Sequence, residues 1–116
     1  MDPALPLFLV LKSDRLHKND ALTVDVVHTC ANLAGIEEAI GDVDFYPNGG
    51  THPQPGCGVD LLGSCSHGRA YEFVGESGLE KNAFAARLCA SQDDATKGDC
   101  NDSNATAYMG INLKFE

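Results

Sequence analysis

The stretch that decides the fold reads VDFYPNGGTHPQPGCGVDLLGSCSHGRAYEFV (residues 43–74). Two cysteines, Cys57 and Cys65, bracket a short loop in it, and His67 follows the second of them by two residues. An amphipathic segment, residues 69–74, comes next. A histidine between a bracketed loop and a helix is held on both sides, as a catalytic base must be, because a misplaced imidazole loses the proton transfer. The spacing therefore makes His67 a candidate base.

Length and composition limit the classes of protein that the chain can belong to. With 116 residues, of which 43% are hydrophobic and 22% charged, it has the composition of one globular domain. It has no apolar run of about 18 residues, so we expect no transmembrane segment. Its net charge of −9 would repel phosphates, and without a basic stripe we expect no nucleic-acid partner.

The cysteines and two sequons indicate an extracellular protein. The five cysteines are Cys30, Cys57, Cys65, Cys89 and Cys100. An odd number that includes two short-loop pairs indicates two disulfides and one free thiol. Zinc is the competing interpretation, but residues 65–67 lack the usual ligand spacing, so disulfides are favoured and no metal is expected. Asn101 and Asn104 each begin a glycosylation sequon, which next to a disulfide supports secretion.

Local patterns predict the secondary structure. β-Branched residues predict a buried strand over residues 22–27. Further segments are expected to form a loop with a possible short helix (30–40), a short strand (42–46), a segment with helical character (79–88), a polar loop (89–106) and a strand (108–115). Ser66 is expected to cap the helix that follows it. His28, at the end of the first strand, is interpreted as structural, with a functional role as the alternative.

The chain carries, in this order, the motifs DPA (2–4), VDVVHT (24–29), DFYPNGG (44–50), PGC (55–57) and CSHGRAY (65–71). Together they resemble the pancreatic lipase family, and its insect-type members most closely. The resemblance implies the α/β class and a partial α/β-hydrolase fold, truncated at both ends, with residues 1–116 forming part of the catalytic domain. It also implies that Asp2 is the acid and His67 the base of a catalytic triad.

The same resemblance implies a role for the cysteines. Cys57 and Cys65 would close the lid loop over the active site, and Cys89 and Cys100 would form the next family disulfide. The lid would consist of Gly58, Val59, Asp60, Leu61, Leu62, Gly63 and Ser64. Family lipases that act on triglyceride droplets carry a much longer lid, so this one resembles the short-lid members, which include sn-1 phospholipases.

A serine esterase also needs a nucleophile on a tight turn, usually Gly-x-Ser-x-Gly, and this motif is absent from the sequence. The resemblance therefore implies a fragment of a secreted serine carboxylic-ester hydrolase that acts on acyl lipids, begins at the triad acid and lacks the nucleophile elbow. We expect no cofactor, possible contact with lipid surfaces, and no activity of this chain alone. The alternative is a non-catalytic lipase-like protein for binding or yolk storage, so whether the parent is an enzyme stays open.

Overall fold

The computed structural model describes residues 1–6, 8, 11–79, 84–100 and 104–115. The strands in these ranges are β1 (Asp25–Val27), β2 (Val43–Phe45), β3 (Phe84–Arg87), β4 (Thr106–Met109) and β5 (Lys114–Phe115). The helices are α1 (Ser64–Ser77) and α2 (Gln92–Lys97), with short 3-10 helices at Lys12–Asp14 and Pro47–Gly50. No described helix has the length and apolar character that crossing a bilayer requires.

A parallel pair of strands carries the most buried part of the chain. β1 and β2 are in register from Asp25 opposite Val43 to Val27 opposite Phe45. Both strands are shorter than the sequence indicated. Because parallel strands end at the same edge, the segments that follow β1 and β2 lie side by side, and the His28 backbone N–H donates to the Phe45 carbonyl oxygen at 2.8 Å.

Two apolar clusters cover the two faces of this pair. Successive side chains of a strand point to opposite faces, so Val26 belongs to one cluster and Val27 to the other. The first also contains Val24, Ile36 and Ile40, and the second contains Phe45 and Met109. Phe73 and Val74 pack against the second cluster and seat α1 on the strands. The strands are therefore buried on both sides, as parallel strands usually are.

The second half of the chain departs from the sequence-based expectation. The segment expected to have helical character contains the strand β3, which pairs antiparallel with β4, and β4 pairs with β5. The expected single strand at 108–115 is thus split into β4 and β5 by a turn at 110–113. The expected polar loop contains α2, whose N-cap Ser91 accepts a hydrogen bond from the Asp94 backbone N–H. No helix is present within 30–40, all of which is described.

Candidate active site

Asp2 lies against the end of β1, with its carboxylate almost wholly buried. Its backbone N–H donates to the Val27 carbonyl oxygen at 2.7 Å. Its carboxylate oxygen Oδ1 accepts the backbone N–H of Thr29 at 2.9 Å. A buried carboxylate needs such donors because desolvation would otherwise be costly. The two bonds fix both the backbone and the side chain of Asp2 at the carboxyl end of the strand.

His67 faces this carboxylate from the first turn of α1. Its backbone N–H donates to the Gly63 carbonyl oxygen at 2.8 Å, and its Nδ1 lies 2.6 Å from Oδ2 of Asp2. An ionised carboxylate only accepts hydrogen bonds, so this bond places the ring proton on Nδ1 and leaves the lone pair on Nε2. The His67 side chain is 39% exposed, against 1% for Asp2. The pair thus combines a buried acid with an accessible imidazole that can take up a proton.

A second aspartate–histidine pair lies nearby and has a different chemistry. His28 is fully buried, with Nδ1 at 2.7 Å from the Ile36 carbonyl oxygen and Nε2 at 2.8 Å from Oδ1 of Asp44. A carbonyl oxygen can only accept, so Nδ1 donates to Ile36, and Nε2 is taken up by the Asp44 carboxyl group. Tyr46 stacks on the His28 ring with ring centroids 4.4 Å apart. Since the ring is fully buried and both nitrogens are taken up by partners within the fold, His28 joins elements of the fold and is not a candidate for an accessible base.

The N-terminus of α1 is held by an aspartate that sequence reasoning assigned only to the loop. The Asp60 carboxylate accepts the backbone N–H groups of Cys65 at 3.3 Å and Ser66 at 2.8 Å. Hydrogen bonds from the Ser66 side chain and backbone hold the pKa of Asp60 below its ordinary value. The expectation that Ser66 is the N-cap was wrong, because Ser66 lies inside the helix and its hydroxyl accepts the Gln54 backbone N–H at 2.9 Å.

The loop between Cys57 and Cys65 is closed by a disulfide. These sulfurs and Asp60 lie close together, but the two sulfurs are bonded to each other and are not thiolate ligands for a metal. Ser64, which the sequence placed in the loop, is the first residue of α1. Within the loop the apolar side chains point to solvent, and Val59, Leu61 and Leu62 are 82–88% exposed. The loop therefore presents an apolar tip just before the helix that carries His67.

The remaining cysteines and the sequons lie apart from the pair. Cys89 and Cys100 form a second disulfide, and Cys30 is a buried free thiol. Asn104 is exposed, while Asn101 lies outside the described residues. A cavity of about 320 Å³ lies between β2 and the sheet of β3 and β4, and neither Asp2 nor His67 lines it.

The structure brings together the two side chains that the sequence proposed as acid and base, although 65 positions separate them. Sequence reasoning missed the groups that hold them, namely the Thr29 backbone N–H and the capping carboxylate of Asp60. Asp60 carried a usable signal, because an aspartate shortly before a helical pattern is a common helix start. The Thr29 N–H carried none, since a backbone donor is present at every residue except proline.

Comparison with known proteins points to one family. The family model described as Lipase matches residues 1–116. The chain is 43% identical over 110 residues to lipase member H-A of Xenopus laevis, covering 88% of this chain and 23% of that protein. It is 38% identical over 125 residues to pancreatic lipase-related protein 3 of Homo sapiens, covering 86% of this chain and 26% of that protein.

A third relative, pancreatic lipase-related protein 2 of Bos taurus, is 34% identical over 123 residues, which cover 86% of this chain and 26% of that protein. The chain thus spans about a quarter of the length of these relatives. The match over residues 1–116 implies the α/β-hydrolase fold. The chain belongs to the lipase family.

Proposed function

We propose that this chain supplies the acid, Asp2, and the base, His67, of the catalytic triad of a serine carboxylic-ester hydrolase that acts on acyl lipids. The observation that carries the proposal is the 2.6 Å hydrogen bond from Nδ1 of His67 to the buried carboxylate of Asp2. It fixes the tautomer in which Nε2 accepts a proton, and the exposure of the ring leaves that nitrogen accessible. His28 is fully buried with both nitrogens hydrogen-bonded, so it offers no accessible nitrogen.

The proposed reaction begins when Nε2 of His67 takes the hydroxyl proton of a serine as the serine oxygen attacks the ester carbonyl carbon. Asp2 stays ionised and stabilises the imidazolium that forms. The imidazolium then gives its proton to the departing alcohol oxygen, which leaves an acyl-enzyme. A water molecule then attacks the acyl-enzyme while His67 again takes up the proton, and the carboxylic acid product leaves the serine. The serine and the two oxyanion N–H groups are proposed to lie on polypeptide upstream of residue 1, in a Gly-x-Ser-x-Gly turn.

The loop between Cys57 and Cys65 supports a phospholipid substrate of the sn-1 ester type and a role in lipid catabolism. Seven residues separate the two cysteines, and they are too few to cover a large apolar cleft. The exposed side chains of Val59, Leu61 and Leu62 form an apolar tip that suits contact with a lipid surface. Because α1 begins at the end of this loop, a lipid surface held there would lie close to His67.

Two disulfides and the exposed sequon residue Asn104 support a secreted glycoprotein. Disulfides persist in oxidising compartments, where sequons are also modified. The non-catalytic alternative, a lipase-like binding or storage protein, would not need the Asp2–His67 bond. Retention of that bond favours an active parent, and the residue at the serine position upstream decides between the two.

The test is the turnover of p-nitrophenyl butyrate by the polypeptide that carries the upstream segment. We expect His67→Ala to abolish turnover. We expect Asp2→Asn to lower kcat by about 10⁴-fold, because an amide no longer selects the productive tautomer. His17→Ala is the matched control, since His17 lies in an exposed loop. Unchanged turnover in His67→Ala with a normal circular dichroism spectrum would refute the triad assignment.

A further inference from the structure

Gly35, in the loop between β1 and β2, is packed directly against the carboxylate of Asp2. A Cβ atom at this position would lie 2.4 Å from Oδ1, 2.5 Å from Oδ2 and 2.6 Å from Cγ of Asp2. Real Cβ atoms essentially never make contacts below 3.0 Å. Any side chain at residue 35 would therefore displace either the loop or the carboxylate.

The backbone conformation gives no reason for a glycine here. The φ angle of Gly35 lies outside the left-handed range, in which glycine is favoured for its torsion. Gly63, by contrast, has a φ of +70°. The requirement at residue 35 is thus one of space beside a carboxylate rather than of backbone freedom.

Backbone hydrogen bonds hold the loop around Gly35. The Gly35 N–H donates to the Cys30 carbonyl oxygen at 2.9 Å, and its own carbonyl oxygen accepts the Asn32 N–H at 3.1 Å. The next residue, Ile36, donates its N–H to the Pro3 carbonyl oxygen at 2.8 Å and accepts the bond from buried His28. Moving the loop would break these bonds, so we expect an added methyl group to push on the Asp2 carboxylate instead.

Building on the proposed function, we propose that Gly35 is a positioning residue for the triad acid. The space left by its missing side chain lets Asp2 direct Oδ2 at Nδ1 of His67 while Oδ1 keeps the Thr29 N–H. Lengthening the 2.4 Å contact to the ordinary 3.4 Å needs a shift of about 1 Å. A misplacement of about 1 Å costs on the order of 10²-fold in catalysis.

The first test compares Gly35→Ala with Gly75→Ala in the polypeptide that carries the upstream segment. Gly75 lies in α1, and a Cβ there would meet nothing within 4 Å, so it is the matched control. We expect Gly35→Ala to lower kcat for p-nitrophenyl butyrate by about 10²-fold with little change in KM, and Gly75→Ala to leave both within about twofold. The low-field proton resonance of His67 Nδ1 should shift or vanish in Gly35→Ala alone. A kcat within twofold of the unmodified protein would overturn the proposal.

The second test does not depend on activity. Gly35→Ala is made both in the unmodified protein and in Asp2→Ala. Urea unfolding is then measured for the four proteins of this double-mutant cycle. We expect the substitution to raise the unfolding equilibrium constant at least about tenfold more when Asp2 is present, because the clash is with its carboxylate. An equal effect in both backgrounds would overturn the proposal.

Two further results are informative. If Gly35→Ala folds only together with Asp2→Ala, the proposal is supported, and if it folds in neither background, the proposal is overturned. Absence of His67-dependent turnover in the unmodified protein would refute the proposed function. The urea-unfolding measurements on the four proteins would then still support or overturn the contact between Gly35 and Asp2.

Discussion

Replacing His28 with alanine tests whether this buried histidine stabilises the fold without taking part in catalysis. The substitution leaves Asp44, whose side chain is 8% exposed, without its histidine partner and leaves the Ile36 carbonyl oxygen without a donor. Losing one partner of a buried ion pair costs about 3–5 kcal/mol. Asp44 keeps two backbone donors, the N–H groups of Ile40 and Gly41 at 3.1 Å, which favours the lower part of that range. We expect a loss of about 3–4 kcal/mol in the free energy of unfolding.

The assay is urea unfolding of the lipase domain followed by circular dichroism. With a slope of about 2 kcal/mol per molar urea, the loss corresponds to a fall of about 1.5–2 M in the unfolding midpoint. His17→Ala, in an exposed loop, should change the free energy of unfolding by less than about 0.5 kcal/mol. Asp44→Asn keeps the side-chain volume while removing the charge, and it should also destabilise the domain.

The reasoning would be refuted by a midpoint for His28→Ala within about 0.3 M of the unmodified domain, since that displacement is far smaller than a broken buried pair requires. Below the unfolding transition, kcat per folded molecule should fall far less in His28→Ala than in His67→Ala, because both ring nitrogens of His28 are taken up within the fold. A loss of kcat comparable to that of His67→Ala would show that His28 has a catalytic role.

Three other predictions concern the capping carboxylate, the disulfides and the isolated chain. The hydrogen bonds that Asp60 accepts lower its pKa. The contribution of Asp60 to stability is therefore present above its ordinary pKa of 3.8 and is lost as the pH falls through the lowered pKa. Acid unfolding below about pH 3.8 should show this loss in the unmodified protein and not in Asp60→Asn. Non-reducing peptide mapping should find Cys57 with Cys65 and Cys89 with Cys100, and a bridge containing Cys30 would contradict the structure. The 116-residue chain alone should not hydrolyse p-nitrophenyl butyrate, and saturable turnover that is lost in Asp2→Ala would disprove this.

Sequence reasoning was most successful where local pattern and tertiary structure agree. The β-branched run before His28 indicated a buried strand, and the segment after Cys65 indicated a helix, and both are present as β1 and α1. The alanine-rich segment before Cys89 suggested a helix, but pairing of Phe84–Arg87 with β4 overrides that local preference. Helix α2 was missed although its signals were in the sequence: Ser91 as N-cap, acidic residues in its first turn and Gly98 after its end.

The groups that hold the candidate site were largely beyond sequence reasoning. The contact of Gly35 with Asp2 depends on how the loop after β1 folds back onto a residue 33 positions away, and no local pattern reports such an approach. The same is true of the Thr29 N–H, since any backbone donor would look alike in the sequence. The candidates for acid and base follow from motifs, whereas their alignment follows from tertiary packing.

The buried thiol has a consequence for how the chain reaches its oxidised form. Cys30 is enclosed where the loop after β1 meets Gly63, whose missing Cβ would lie 2.4 Å from the sulfur. Burial raises the pKa of this thiol above its ordinary value. Thiol–disulfide exchange requires an accessible thiolate, so in the folded chain Cys30 cannot attack either bridge. Before β1 and α1 meet, the same sulfur is free to form wrong pairs, so correct oxidation depends on how soon these two elements pack together.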